Sequence, residues 1–209
     1  MLLYDYFRST ASYRVRIALN LKGIKYDKQT VNLMTDEHQN DYLTVNPQGL
    51  VPALELNDGT VLTQSLAICE YLEETYPKPA ILPGDPRQRA FCRSLSQSIT
   101  CDIHPLNNLR VRQYLQGTLN INDDEKLAWY HHWVEQGLAA FESALNRREQ
   151  NLFCCGETPT LADICLIPQI YNARRFECDI SHFSNISRIV SQCESLYAFF
   201  SAYPSSVAI

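Results

Sequence analysis

Residues 7–19 read FRSTASYRVRIAL, which crowds Arg8, Ser9, Thr10 and Ser12 between a short apolar strand and the head of a helical pattern. Hydroxyl side chains at such a junction cap a helix by accepting its first N–H groups. The same junction carries unpaired N–H donors and a partial positive charge, so it also stabilises an anion, and a hydroxyl adds one directed hydrogen bond. Residue types alone leave both readings open. Gln64-Ser65 repeats the arrangement before the run LAICEYLEETY, with Ser65 where an N-cap belongs. Arginine is the other recurrent type. Arg8, Arg110 and the adjacent Arg174 and Arg175 offer forked donors that match carboxylates, and His104, Asn107, Asn108 and Arg110 share one stretch, CDIHPLNNLRVRQY. Arg14 and Arg16 are assigned to solvent or to pairing at a domain interface.

These residues need elements to hold them. Leu2 to Tyr6 reads as a strand, about Ser12 to Lys22 as a helix closed by Gly23, and Tyr26 to Leu33 as a second strand. This is a β-α-β unit, so its strands should be parallel. Val51 to Leu56 and the strand from Val61 flank Asn57-Asp58-Gly59, a strong hairpin turn. Val51-Pro52 reads either as a cis bond, which costs little only before proline, or as an ordinary strand-start proline. Prolines 77, 79, 83 and 86 mark a linker. Beyond it, Arg87–Leu115, Asp123–Arg148, Thr160–Arg175 and Ile186–Phe200 all show helical periodicity, and Thr160 with Asp163 forms a capping box. Trp129 and Trp133, four apart on one helix, are read as packing residues. The expected organisation is a mixed α/β domain over 1–80, a linker over 81–86 and an all-helical domain over 87–209.

The 209 residues are 45% hydrophobic and 20% charged, an ordinary globular balance that can bury a core. A net charge of −5 argues against nucleic acid as the main partner. MLLYDYF lacks the basic region of a signal peptide, and no run approaches the roughly 18–20 apolar residues of a membrane helix, so a cytoplasmic protein without a membrane partner is expected. The 8 cysteines form no CxxC pair and show no ligand spacing with histidine, which points to reduced structural thiols and no metal site.

Three stretches then carry a family resemblance: RSTASYRVRIALNLKG, NPQGLVPALELNDGTVLTQSLAICEYLEE and GETPTLADICLIPQIYNARRF. The β-α-β-β-β-α order followed by helices resembles the glutathione transferases, whose first domain is thioredoxin-like. RVRIAL and NARRF are similar to the zeta class, which holds the maleylacetoacetate and maleylpyruvate isomerases. The resemblance spans nearly the whole chain. It departs at Ser9-Thr10-Ala11, where many members read Ser-Ser-Cys; a mechanism needing that thiol is excluded here, and one using a hydroxyl survives.

The resemblance implies glutathione as cofactor, a small dicarboxylate as substrate and a homodimer. It implies that Ser9, with Thr10 as rival, holds the thiolate. Val51 and Pro52 would meet the cysteinyl backbone, Gln64 and Ser65 the γ-glutamyl carboxylate, His38 the glycine carboxylate, and Asn107 and Asn108 other parts of glutathione. Arg8 would stabilise an enolate, and His104, Asn108, Arg110 and Arg174 or Arg175 would take the substrate's carboxylates. The implied reaction is cis–trans isomerisation of a maleyl to a fumaryl compound. Maleylacetoacetate, in tyrosine and phenylalanine degradation, is the expected substrate. Maleylpyruvate of gentisate degradation, or transfer of glutathione to α-halo acids, is the alternative. A non-enzymatic binding module is disfavoured by Ser9, Val51-Pro52 and Gln64-Ser65 occurring together.

Overall fold

A computed structural model describes residues 1–32 and 39–208. His38 lies outside the described residues. The chain forms two compact units, one of residues 1–81 together with the segment from Glu194 onward, the other of Leu82–Cys193. The sequence pattern places the C-terminal segment with the helical domain over 87–209, whereas here it groups with the first unit.

The first unit opens with β1 (Leu2–Asp5), α1 (Thr10–Leu21) and β2 (Asp27–Thr30), continues through α2 (Gln39–Val45), β3 (Ala53–Glu55) and β4 (Val61–Thr63), and closes with α3 (Ser65–Thr75). The sheet order is β2-β1-β3-β4. β1 and β2 run parallel, with Leu2 opposite Asp27, while β3 is antiparallel to both β1 and β4. Alternation along β1 sends Leu3 and Tyr4 to opposite faces. Tyr4 joins Val31, Tyr42, Val51 and Ala53 in one cluster. Gly59, at φ 86, and the Asp58 carboxylate, which accepts from Thr60 N at 2.9 Å, shape the β3–β4 hairpin.

Helix α1 begins earlier than its periodicity suggests, with Ser9 as N-cap. It is buried on nearly every side and packs against α3 and α10 (Tyr197–Phe200). Of the two expectations for Arg14 and Arg16, solvent or pairing at a domain interface, burial removes the first. They are 2% and 0% exposed. Arg16 donates from Nη1 to Asp5, from Nη2 to the Phe7 carbonyl and from Nε to the Ala202 carbonyl. Asn20 adds a bond to Ala198 O. These bonds explain why the C-terminal segment, which ends with α11 (Pro204–Val207), belongs to the first unit.

In the second unit the Arg87–Leu115 periodicity is broken. α4 (Pro86–Gln97) passes into a π-helical segment (Ser98–Ile103), then α5 (His104–Asn107) and α6 (Leu109–Gly117). α7 (Asp123–Asn146), α8 (Leu161–Arg175) and α9 (Ser184–Glu194) follow. α8 is nearly all buried and packs on α4. Its capping box is present: Asp163 Oδ2 accepts from Thr160 N at 2.7 Å and from Thr160 Oγ1 at 2.8 Å. Trp129 and Trp133 meet edge to face with ring centroids 5.7 Å apart. Among the described residues, no helix is long and apolar enough to cross a membrane.

Candidate active site

The head of α1 sets Arg8, Ser9 and Thr10 in graded environments: Arg8 is exposed, Ser9 half-buried and Thr10 only 4% exposed. Ser9 N donates to Tyr6 O at 2.8 Å, which closes the turn out of β1. Ser9 Oγ accepts from Ser12 N at 3.1 Å. A serine hydroxyl has two lone pairs and one proton, so this cap uses acceptor capacity and leaves the O–H free to donate. Capping the helix and donating to an anion are therefore compatible roles for one side chain. Arg8 lies over the Phe7 ring, 4.9 Å from its centroid.

At the head of α3 the structure shifts the expected cap by one residue. Gln64 is the N-cap, and Ser65 is the first helical residue. The Gln64 side chain does not cap this helix, so among the described residues its leading N–H groups are open to an acceptor. Gln64 sits at φ 68, in the left-handed region that glutamine seldom adopts. Its Nε2 donates to Gln48 Oε1 at 2.9 Å. Ser65 Oγ accepts from Arg14 Nη1 at 3.1 Å. Gln48 and Arg14 were not among the expected site residues. Gln48 lies in the NPQG stretch just before Val51-Pro52, a peptide that is cis here.

In the helical unit, Asn108 caps α6 by accepting from Arg110 N at 3.2 Å, and the Arg110 side chain is exposed. Asn107 is buried, and neither of its amide atoms finds a partner among the described residues. His104 is half-buried where the π-helical segment meets α5. Arg174 and Arg175 are both exposed in the last turn of α8. Arg175 and Arg112 share one aromatic ring, their guanidinium carbons 5.1 and 4.3 Å from the Phe176 centroid. Arg112 escaped the sequence reading because residues two apart on a helix face different ways, so its neighbour Arg110 gave no reason to include it. Burial draws the Arg112 pKa below its usual value, and Arg175 lowers it further. A cavity of about 210 Å³ is lined by Arg112, Asp123, Lys126, Leu127, Tyr130 and Phe176.

Residues 8–75 match the model of the glutathione S-transferase N-terminal domain family. A maleylacetoacetate isomerase of Pseudomonas aeruginosa is 46% identical over 99% of this chain and 97% of its own length. The chain belongs to the zeta class of the glutathione transferases. Its fold matches a solved bacterial zeta-class maleylpyruvate isomerase at TM-score 0.95 and 42% identity, over 99% of this chain and 98% of the other. It matches equally well, at TM-score 0.95 and 40% identity over 100% and 98% of the two chains, a maleylacetoacetate isomerase of Methylobacterium extorquens solved with malonate and glutathione bound. A zeta-class transferase is thus built here without the cysteine that often follows the first two residues of its motif, since Ala11 occupies that position.

Proposed function

We propose that this chain is a glutathione-dependent cis–trans isomerase that converts maleylacetoacetate to fumarylacetoacetate in tyrosine and phenylalanine degradation. Glutathione, when bound, supplies a thiolate that adds to the cis double bond, permits rotation and leaves again, so it is not consumed. The observation that carries this reading is the half-buried Ser9 hydroxyl, whose acceptor side is used by Ser12 N while its proton stays free. Thr10, almost wholly buried, is the weaker candidate.

The first unit's residues fit the cofactor. The uncapped head of α3 and the Ser65 hydroxyl suit the γ-glutamyl carboxylate, since a helix N-terminus favours anions. Val51, beside Pro52, offers its backbone to the cysteinyl peptide in the manner of an added strand. Gln64 flanks this site, and His38 is assigned the glycine carboxylate. Arg8 stabilises the enolate oxygen that develops during the reaction, where a preorganised donor contributes most. The helical unit supplies charge and polar groups for the rest. Arg110, Arg174 and Arg175 take substrate carboxylates, His104 and Asn108 orient the substrate, and Asn107 and Asn108 contact glutathione. A cytoplasmic homodimer completes the reading.

The alternative substrate is maleylpyruvate, supported by the maleylpyruvate isomerase noted above, whose fold matches as well as that of the maleylacetoacetate isomerase. Conversion of either substrate, followed with a coupled fumaryl hydrolase and glutathione at a small fraction of the substrate, tests the proposal. Turnover far beyond the glutathione supplied is expected. Stoichiometric consumption of glutathione, with α-halo acids as the better substrates, would replace the isomerase with a conjugating transferase.

A further inference from the structure

Arg14 is a charged side chain buried to within 2% of full enclosure, yet nothing in the reaction described above employs it. Its Nη1 reaches across from α1 to α3 and donates to Ser65 Oγ at 3.1 Å. We propose that Arg14 is a positioning residue for the glutathione carboxylate, acting through the Ser65 hydroxyl. The inference rests on Ser65 being the carboxylate's partner.

The geometry supplies the reason. A guanidinium can only donate, and a serine hydroxyl has one proton and two lone pairs. The Arg14 contact therefore makes Ser65 Oγ an acceptor on its buried side and turns the hydroxyl proton away from Arg14. Ser65 is the first residue of α3, whose leading N–H groups receive no hydrogen bond from the Gln64 side chain. The hydroxyl proton and these amides then form one set of donors for one carboxylate. The buried cation polarises the hydroxyl and strengthens its donation, as charge-assisted chains do. The neighbouring Gln64 has a positive φ, and its side chain donates to Gln48 Oε1. Such backbone persists where surrounding structure over-determines it, and it gathers at ligand clamps.

Calorimetric titration of the full-length protein separates the two roles. The ligands are glutathione and an analogue, 4-aminobutyryl-cysteinyl-glycine, which lacks the γ-glutamyl α-carboxylate. Ser65→Ala, Arg14→Met and the double variant are compared with wild type. Arg14→Met should weaken glutathione by about tenfold to a hundredfold, the range of a lost charge-assisted hydrogen bond, and should change analogue binding by less than about twofold. The double variant should bind glutathione about as Ser65→Ala does. Equal weakening of both ligands would make Arg14 a structural staple and overturn the inference. So would losses that add in the double variant. Should Arg14→Met not fold, Arg14→Lys keeps the charge but loses the planar fork. It should still show selective loss for glutathione, and an unselective loss there is equally damaging. If Ser65→Ala leaves glutathione affinity unchanged, the assignment of Ser65 falls and takes this inference with it. If Ser65→Ala weakens binding and the Arg14 variants do not, the inference alone fails.

Discussion

Arg16 Nη1 lies 2.6 Å from Asp5 Oδ1, and their side chains are 0% and 7% exposed. The same guanidinium spends Nη2 on the Phe7 carbonyl and Nε on the Ala202 carbonyl, each at 3.0 Å. One cation thus ties the end of β1, the turn that delivers Arg8 and Ser9, and a segment from the far end of the chain. Together with the Ser9 N to Tyr6 O bond, this side chain holds the turn that leads into α1.

Removing one partner of a buried pair strands the other charge. Arg16→Met should therefore cost about 3–5 kcal/mol in urea denaturation. Replacing both, as Arg16→Met with Asp5→Leu, should recover a large part of that loss, because no uncompensated charge remains. A double variant as unstable as the single one would mean that the bonds to Phe7 and Ala202 dominate.

The second unit has its own point of close approach. A methyl group placed on Gly137 of α7 would run into the Ile103 side chain at the end of the π-helical segment. Alanine in a helix interior normally gains about 1 kcal/mol over glycine. Here overpacking, at about 1–3 kcal/mol, should cancel or reverse that gain. Gly137→Ala should then leave the thermal midpoint unchanged or lower it, and adding Ile103→Ala should make room for the new methyl. A clear stabilisation by Gly137→Ala alone would show that Ile103 moves aside freely.

Tyr42 provides a pH signature. Its hydroxyl donates to Leu50 O at 2.8 Å, and burial is the main reason its pKa is pushed up to about 12. The unfolded chain loses this proton near the ordinary value of 10.0, whereas the folded protein retains it. The contribution to stability is therefore complete below pH 10 and lost as pH rises through about 12. At neutral pH the wild type should exceed Tyr42→Phe by about 0.5–1.5 kcal/mol, the worth of one hydrogen bond. That gap should close above pH 10 and reverse as the pH approaches 12, because a pKa raised by about two units, each worth about 1.4 kcal/mol, outweighs one hydrogen bond. A constant gap would contradict the assignment.

Arg8 is exposed, so its replacement should spare the fold. Arg8→Met should lower turnover of the maleyl substrate by about 10²–10³-fold, the usual effect of losing one donor to a developing oxyanion. The midpoint of unfolding should stay within about a degree or two, since exposed substitutions change stability by about 0.5 kcal/mol at most. Full activity in this variant would remove Arg8 from the mechanism.

Much of this architecture could be read from residue order. The β-α-β start, the Asn-Asp-Gly hairpin and the Thr160–Asp163 box depend on local chemistry, which sequence carries. The misreadings came from contacts between distant positions. Arg14 and Arg16 are assigned to solvent or to a domain interface because arginine is usually exposed, yet both are buried, and their partners Asp5, Ser65 and Ala202 lie in other elements. A partial signal did exist: Tyr13, Val15, Ile17, Ala18 and Leu19 spread apolar residues over most of α1 and leave only the narrow polar face of Ser12, Arg16 and Asn20. Pro105 similarly marked the interruption of the long Arg87–Leu115 pattern. Helix α2 was missed because seven residues give too little periodicity to stand out. At the candidate site, Ser9 and Ser65 were visible as hydroxyls beside helix starts. Which side of each hydroxyl is engaged depends on Ser12 N and Arg14, and only three-dimensional structure shows that.

In the proposed reaction the head of α1 holds glutathione's sulfur as a thiolate at Ser9. The direct measurement is the ultraviolet titration of bound glutathione's thiolate in wild type, Ser9→Ala and Thr10→Ala. A free thiol titrates near about 8.5, and wild type should bring the bound one down by about two units. Ser9→Ala should return it upward by about one unit, equivalent to about 1.4 kcal/mol, and Thr10→Ala should leave it in place. An unchanged titration in Ser9→Ala, with the upward shift appearing in Thr10→Ala instead, would contradict the account.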